Sequence, residues 1–219
     1  MADNYFTVIG FGSLLSEKDA KRTCPNLKDF RYGYVENYAR VFSKVDSNLK
    51  DYDREHIANW AFFPMTDHKT LVTIFEIPEE EYIPFVAREM DYHLKSIPYV
   101  NLETGIEGQG IACCAFQSND DFVEYLKNNP IQSDLYIKRY GEKYRGSIWR
   151  DDILPCNKYL SFVLSIAHGI SAEYIHNILD EGYLADRTTK LREYLQSHYT
   201  DLPIINELDF LENYLFKTA

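Results

Sequence analysis

Apolar positions along this chain keep two different rhythms. In the first two thirds they fall into short alternating or continuous runs. Residues 38–45, 59–63, 70–77, 97–100 and 111–116 read as strands. A run at 6–9 ends at Gly10 and leads into a short helix over 16–21. Residues 120–128 place Phe122, Val123 and Leu126 on one side of a helix that Pro130 ends. From Pro155 onward the spacing is helical, with Tyr159, Phe162, Val163 and Ile166 recurring and Gly169 just past the end. Ser171 caps a second helix that carries Tyr174, Ile175, Ile178 and Leu179. Residues 186–199 and 208–216 read as two more. Strands followed by helices predict an α+β fold. The expected organisation is one domain over 1–170 and a helical extension over 171–219 packed on it, with no repeat and no low-complexity linker.

The sharpest break in the pattern is at Gly10, Phe11, Gly12, Ser13 and Leu14. Glycine lets a backbone come close to a ligand or take positive φ without a Cβ penalty. A strand that ends in such a turn can aim several N–H groups at one point and form an anion-binding nest. A plain β-turn packed in a core has the same residues, so both readings stay open. Leu15 stands where a dinucleotide fingerprint needs its third glycine, and the Gly-Lys-Ser/Thr of a P-loop is absent. No Gly-x-Ser-x-Gly elbow surrounds Ser13.

In the segment 78–92, Pro84 suits the first turn of a helix. Tyr82, Phe85, Val86, Glu89 and Met90 then share a face, while Glu79, Glu80, Glu81, Arg88 and Asp91 fall mainly elsewhere. The run Glu79, Glu80, Glu81 reads as a solvated helix start. Glu89 points inward with apolar residues. A buried carboxylate is costly unless paired or used. Burial raises its pKa, which suits a general base near neutral pH. An inward Glu paired with an Arg is the structural alternative.

The chain has 219 residues, a hydrophobic fraction of 45%, Tyr 18 and Phe 13. Its net charge of -11 speaks against a nucleic-acid backbone or an anionic membrane as partner. Cys24, Cys113, Cys114 and Cys156 show no metal spacing and read as reduced and buried. The first residues lack a basic, apolar leader, and no stretch approaches a membrane span. The expectation is a soluble, cytoplasmic protein, monomer or homodimer. The histidines form no metal constellation: Glu89 and His93, and Glu173 and His176, are pairs without further ligands.

Phe11-Gly12-Ser13-Leu14 resembles the Tyr-Gly-Ser-Leu/Asn loop near the N-terminus of the γ-glutamylcyclotransferase superfamily. Ala87-Arg88-Glu89-Met90-Asp91-Tyr92 is similar to that family's Arg-Glu-x-x-Tyr run, with Glu89 at the catalytic position and Tyr92 near the site. Pro155-Cys156-Asn157-Lys158-Tyr159 looks like its Pro-Ser-x-x-Tyr segment, with Tyr159 at the substrate-site tyrosine. Taken on packing alone, Tyr159 is a core aromatic. Departures are Phe11 for Tyr, Cys156 for Ser, Ile166 for Gly and Ser171 for Pro. Residues 183–195 are similar to longer, uncharacterised members and carry no assignable catalytic role.

The resemblance implies a small mixed β-barrel wrapped by helices. It implies an enzyme that cyclises a γ-glutamyl amide to 5-oxoproline and releases an amine or amino acid. Glu89 would be general acid and base. Gly10, Phe11, Gly12, Ser13, Leu14, Tyr92 and Tyr159 would bind substrate, with no cofactor and no metal. Glutathione, γ-glutamyl amino acids and γ-glutamyl amines stay open as substrates. The rival class is a non-catalytic binding or regulatory module on the same fold.

Overall fold

A computed structural model of the chain describes residues 4–46, 55–140, 146–202, 205 and 207–216. The start of the leader reading (1–3) and the end of the expected extension (217–219) lie outside the described residues. The centre is a closed mixed barrel. Strand β1 (Tyr5–Gly10) pairs antiparallel with β3 (His56–Pro78). It also touches β5 (Glu107–Cys114) in parallel, at Val8 and Ile111. β5 pairs antiparallel with β4 (His93–Asn101), and β4 with β2 (Lys28–Val45). β2 returns to β3 and closes the ring. Two short strands extend it: β6 (Leu154–Pro155) on β3 and β7 (Gly182–Tyr183) on β2. The α+β expectation and the mixed barrel both hold.

The strands are longer than hydrophobicity alone predicts. The runs at 59–63 and 70–77 belong to one strand, because β3 stays extended through the largely exposed residues between them. The ladder with β2 is irregular there. Asn37 and Asp67 both take positive φ, and the Asp67 N–H donates to Asn37 Oδ1 at 3.2 Å. The ladder passes from Lys69 opposite Glu36 to Pro64 opposite Tyr38, so residues 65–68 bulge out of it between the two paired arms of β3.

Ser16 caps α1 (Glu17–Ala20) through its hydroxyl, which accepts from the Asp19 N–H. Helix α2 (Glu79–Arg88) begins earlier than Pro84 implies, so that proline lies inside the helix. Its missing N–H leaves the Glu80 carbonyl unpaired, which is tolerable because Glu80 is exposed. Glu81 corrects the solvated-run reading: it is buried, and its carboxylate accepts from the Asn26 N–H and side-chain amide at 3.0 and 2.8 Å. Pro130 ends α3 (Asn119–Asn128) and also opens α4 (Pro130–Tyr140), where an N-terminal proline costs nothing.

Helix α5 (Asn157–Ile170) runs through Gly169 instead of stopping before it. Extended Ser171 then ends α5 and caps α6 (Ala172–Asp180), accepting from the Tyr174 N–H. Only part of 186–199 is helix, as α7 (Leu191–His198), because Asp186 holds the preceding residues in a turn. The last described helix is α8 (Leu211–Phe216). Leu160 and Val163 of α5, Ile175 of α6, Leu195 of α7 and Leu211 of α8 join the barrel's main core. A smaller core on the other side joins Val8, Phe75, Ile77 and Phe85. Val8 and Ile9 face opposite ways and are both fully buried, so the end of β1 is clamped from two sides.

Candidate active site

Three elements meet beyond the end of β1: the glycine turn, the end of α2, and the first turn of α5. Gly10 pairs with Thr73, and a Cβ there would lie 2.6 Å from Thr73 Oγ1 and 2.7 Å from the Leu14 carbonyl. Gly12 keeps a negative φ of -127°, so the freedom it uses is close approach. A Cβ there would sit 2.2 Å from the Tyr159 hydroxyl oxygen. Residues 13–15 form a single 3-10 turn. Among the described residues, no acceptor takes the backbone N–H of Phe11, Gly12, Ser13 or Leu14.

The side chains of that turn are otherwise engaged. Phe11 stacks on Phe62 at 3.9 Å, and its carbonyl accepts from Arg40 Nε at 3.0 Å. Leu14 is buried in the smaller core, and its carbonyl accepts from Thr73 at 2.8 Å. Ser13 Oγ accepts from Arg88 at 2.9 Å.

Glu89 follows the last residue of α2, where its N–H still donates to the Phe85 carbonyl. It is buried with Phe85, Val86 and Met90, while Tyr82 is half-buried and stacks on Phe6. Its carboxylate meets Arg88 Nε at 2.8 Å and lies near the Cys113 thiol. Burial raises its pKa; Asp91 adds to the rise, while Arg88, Lys44 and the Cys113 thiol oppose it. The inward carboxylate and its pairing with an arginine are therefore both present.

Tyr159 stands edge-on to Trp60 and Phe42, with ring centroids 5.9 and 6.4 Å away. Burial raises its hydroxyl pKa, and the nearby Glu89 charge raises it further. No described residue hydrogen-bonds that hydroxyl. Tyr92 lies close to Glu89 but donates its hydroxyl to the Trp60 carbonyl at 3.0 Å. Its oxygen is committed to the core.

Several charged groups escaped the helical and strand patterns. Arg40 is 0% exposed, donates to the Phe11 carbonyl, Asn177 and the Leu71 carbonyl, and has its pKa lowered by burial to about 10. Lys44 and Asp91 form a buried pair at 2.6 Å, with side chains 5% and 2% exposed. With Glu89 ionised, Arg40, Lys44, Arg88, Glu89 and Asp91 leave the cluster one positive charge in excess. One signal was available for two of them. Arg40, Phe42 and Lys44 alternate along β2, and a face that places two cations around an aromatic is not a simple apolar core.

No family profile and no curated protein sequence matches this chain. Solved structures do. One is a glutathione-specific γ-glutamyl cyclotransferase from yeast, 11% identical, with 94% of this chain and 97% of that one covered and a TM-score of 0.49. A second γ-glutamyl cyclotransferase is 11% identical, with 65% and 90% covered and a TM-score of 0.42. An AIG2-like protein from Mus musculus is 12% identical, with 68% and 90% covered and a TM-score of 0.38. At these scores and identities the likenesses carry no weight for function; the residues do.

Proposed function

We propose that this chain is a γ-glutamylcyclotransferase-like enzyme that converts a γ-glutamyl amide into 5-oxoproline and a free amine or amino acid. The observation that carries the reading is the meeting of a buried, pKa-raised Glu89, the unbonded Tyr159 hydroxyl and the free N–H groups of the Gly12 turn. The substrate's own α-amine is the nucleophile, and the enzyme has only to orient it, deprotonate it and stabilise charge. Glu89 takes a proton from the α-ammonium. The freed amine attacks the γ-carbonyl carbon, and a C–N bond forms as the carbonyl becomes an oxyanion. That oxyanion collapses and the original amide C–N bond breaks as Glu89 returns its proton to the leaving nitrogen; the attacking nitrogen, which still carries an extra proton, gives it up through Glu89 to the released amine, so that a neutral 5-oxoproline nitrogen and an ammonium result. The turn N–H groups and the Tyr159 hydroxyl are donors for the oxyanion and the α-carboxylate. The positive excess of the cluster favours that carboxylate.

One observation favours a binding module instead. Glu89 already has Arg88 as a partner and Cys113 beside it, as a structural carboxylate would. Glu89→Gln separates the two. The amide keeps the shape but cannot cycle a proton, so 5-oxoproline release should fall by about 10²–10⁴ with the fold intact. The assay measures 5-oxoproline from glutathione, γ-glutamyl amino acids and γ-glutamyl amines. No release by the parent protein from any of them, or unchanged release by a folded Glu89→Gln protein, overturns the reading.

A further inference from the structure

Among the described residues, Arg40 of β2 is the largest fully buried charged side chain. It lacks the kind of partner that Lys44 has in Asp91 and Glu89 has in Arg88. All three acceptors of its guanidinium are neutral: the Phe11 carbonyl at 3.0 Å, Asn177 Oδ1 at 2.9 Å and the Leu71 carbonyl. Burial lowers its pKa to about 10, while Tyr174, Tyr159 and Glu181 favour the charge from nearby. Glu181 is partly exposed and already held by His68 Nδ1 at 2.5 Å. A buried cation with no carboxylate against it is costly. Arg40 is the positive charge that the cluster around Glu89 has in excess.

That charge is out of a ligand's reach, but it acts on the site through a peptide. In a trans peptide the carbonyl and the following N–H point opposite ways. The Phe11 carbonyl faces Arg40 Nε, so the Gly12 N–H points away from the guanidinium, and no described residue accepts it. Gly12 borders the Tyr159 hydroxyl, whose pKa burial and Glu89 raise and Arg40 opposes. A carbonyl held by a cation polarises its peptide and strengthens the donor at the other end. Asn177 of α6 holds Arg40 in turn. Its Oδ1 also accepts from the Leu71 N–H at 2.8 Å, and its amide donates to the Lys69 carbonyl at 2.8 Å. The clasp therefore runs from α6, across β3 and Arg40, to the glycine turn.

We propose that Arg40 is a positioning residue that fixes and polarises the Phe11–Gly12 peptide, and that the α-carboxylate of a γ-glutamyl substrate is the anion this buried charge is matched to. The inference rests on the functional reading above and adds to it which charge selects the carboxylate. A permanent cation calls for a permanent anion. The α-carboxylate is charged in substrate and product alike, whereas the oxyanion is transient. The N–H groups of the turn make the contact, and Arg40 acts through the Phe11 carbonyl. This gives Asn177, in the helical extension, a part in substrate recognition that the ring-closing chemistry does not use.

Asn177→Asp tests the charge without removing an acceptor from Arg40. The aspartate keeps the oxygen that Arg40 and Leu71 bond and sets a negative charge against the guanidinium. The lost donation to the Lys69 carbonyl is exposed, so water replaces it. Calorimetry on the full chain compares 5-oxoproline, which carries the carboxylate, with its neutral carboxamide, 5-oxoprolinamide. The parent should bind the carboxylate more tightly. Asn177→Asp should weaken 5-oxoproline by about tenfold or more and leave the carboxamide within about twofold. KM for a γ-glutamyl substrate should rise with it, by more than kcat falls. Arg40→Gln should do the same; if it does not fold, Asn177→Asp decides. A merely structural Arg40 predicts equal effects on the two ligands, or none. A parent that neither releases nor binds 5-oxoproline overturns the functional reading and this inference with it. A parent that releases 5-oxoproline but shows no preference for the carboxylate, or keeps that preference undiminished in Asn177→Asp, overturns this inference alone.

Discussion

Gly12→Ala tests the site without touching an ionisable group. The added methyl would stand 2.2 Å from the Tyr159 oxygen, about 1.2 Å short of ordinary contact at 3.4 Å. Tyr159 has little room to yield, because Trp60 and Phe42 stand edge-on to its ring. Overpacking of this kind costs about 1–3 kcal/mol. A hydroxyl displaced by about 1 Å from its working position costs on the order of 10² in rate. The cause can be isolated. In a Tyr159→Phe background the clashing oxygen is gone, and the next atom, Cζ, is 3.5 Å away, an ordinary contact. Gly12→Ala should therefore cost little stability in that background and add little to the rate loss already caused by Tyr159→Phe. Urea midpoints and 5-oxoproline release on the two single variants and the double variant give the coupling. A fully active, fully stable Gly12→Ala protein would refute the geometry. So would the same penalty in both backgrounds, which would mean the methyl meets something other than the hydroxyl.

Two further outcomes follow from the buried charges. Glu89 has its pKa raised, so its native state holds the proton more tightly than the unfolded chain does. The resulting stability is fully present below the ordinary carboxylate range and is lost as pH rises through the folded value. The stability of Glu89→Gln relative to the parent should therefore grow between acidic and neutral pH; a difference that stays flat in urea melts across that window contradicts the raised pKa. Asp91→Asn removes the carboxylate that faces Lys44, which is 5% exposed, and should destabilise by about 3–5 kcal/mol. It also removes a charge that raises Glu89, so the acid limb of the pH–rate profile should move to lower pH; an unmoved limb would uncouple Asp91 from the base.

The parts of the site that depend on local period were legible in the sequence. Glu89 falls on the apolar stripe of α2, the apolar run of β1 ends where the turn begins, and Ser16 and Ser171 announce their helices by spacing alone. What stayed hidden depends on pairing between distant segments. Asp91 reads as a surface residue on a helical wheel. The helix has ended three residues earlier, at Arg88, however, and Lys44 of β2 waits inside. Glu81 reads as part of a solvated run until Asn26, far away in sequence, turns its backbone toward it. In each case the deciding partner is long-range, and no window along the chain contains both members.

The contact between Arg88 and Glu89 bears on whether a paired carboxylate can also be a base. A buried ion pair and a partly exposed one lie side by side here, and they differ in what happens when the acid is neutralised. Lys44 faces Asp91 in near-complete burial, so losing that charge leaves a cation out of water. Arg88 is 22% exposed and holds other acceptors at the same time: Ser13 Oγ at 2.9 Å, Thr23 Oγ1 at 3.1 Å and the Asp19 carbonyl at 3.4 Å. When Glu89 takes a proton, Arg88 keeps those partners and its access to solvent, so the protonated state is not prohibitively costly. Those same bonds tie Arg88 to Ser13, and so hold the carboxylate in register with the glycine turn whichever protonation state it is in. A pair built only for stability gains nothing from an arginine with spare acceptors. A carboxylate that must take a proton and give it back, without moving, requires such a neighbour.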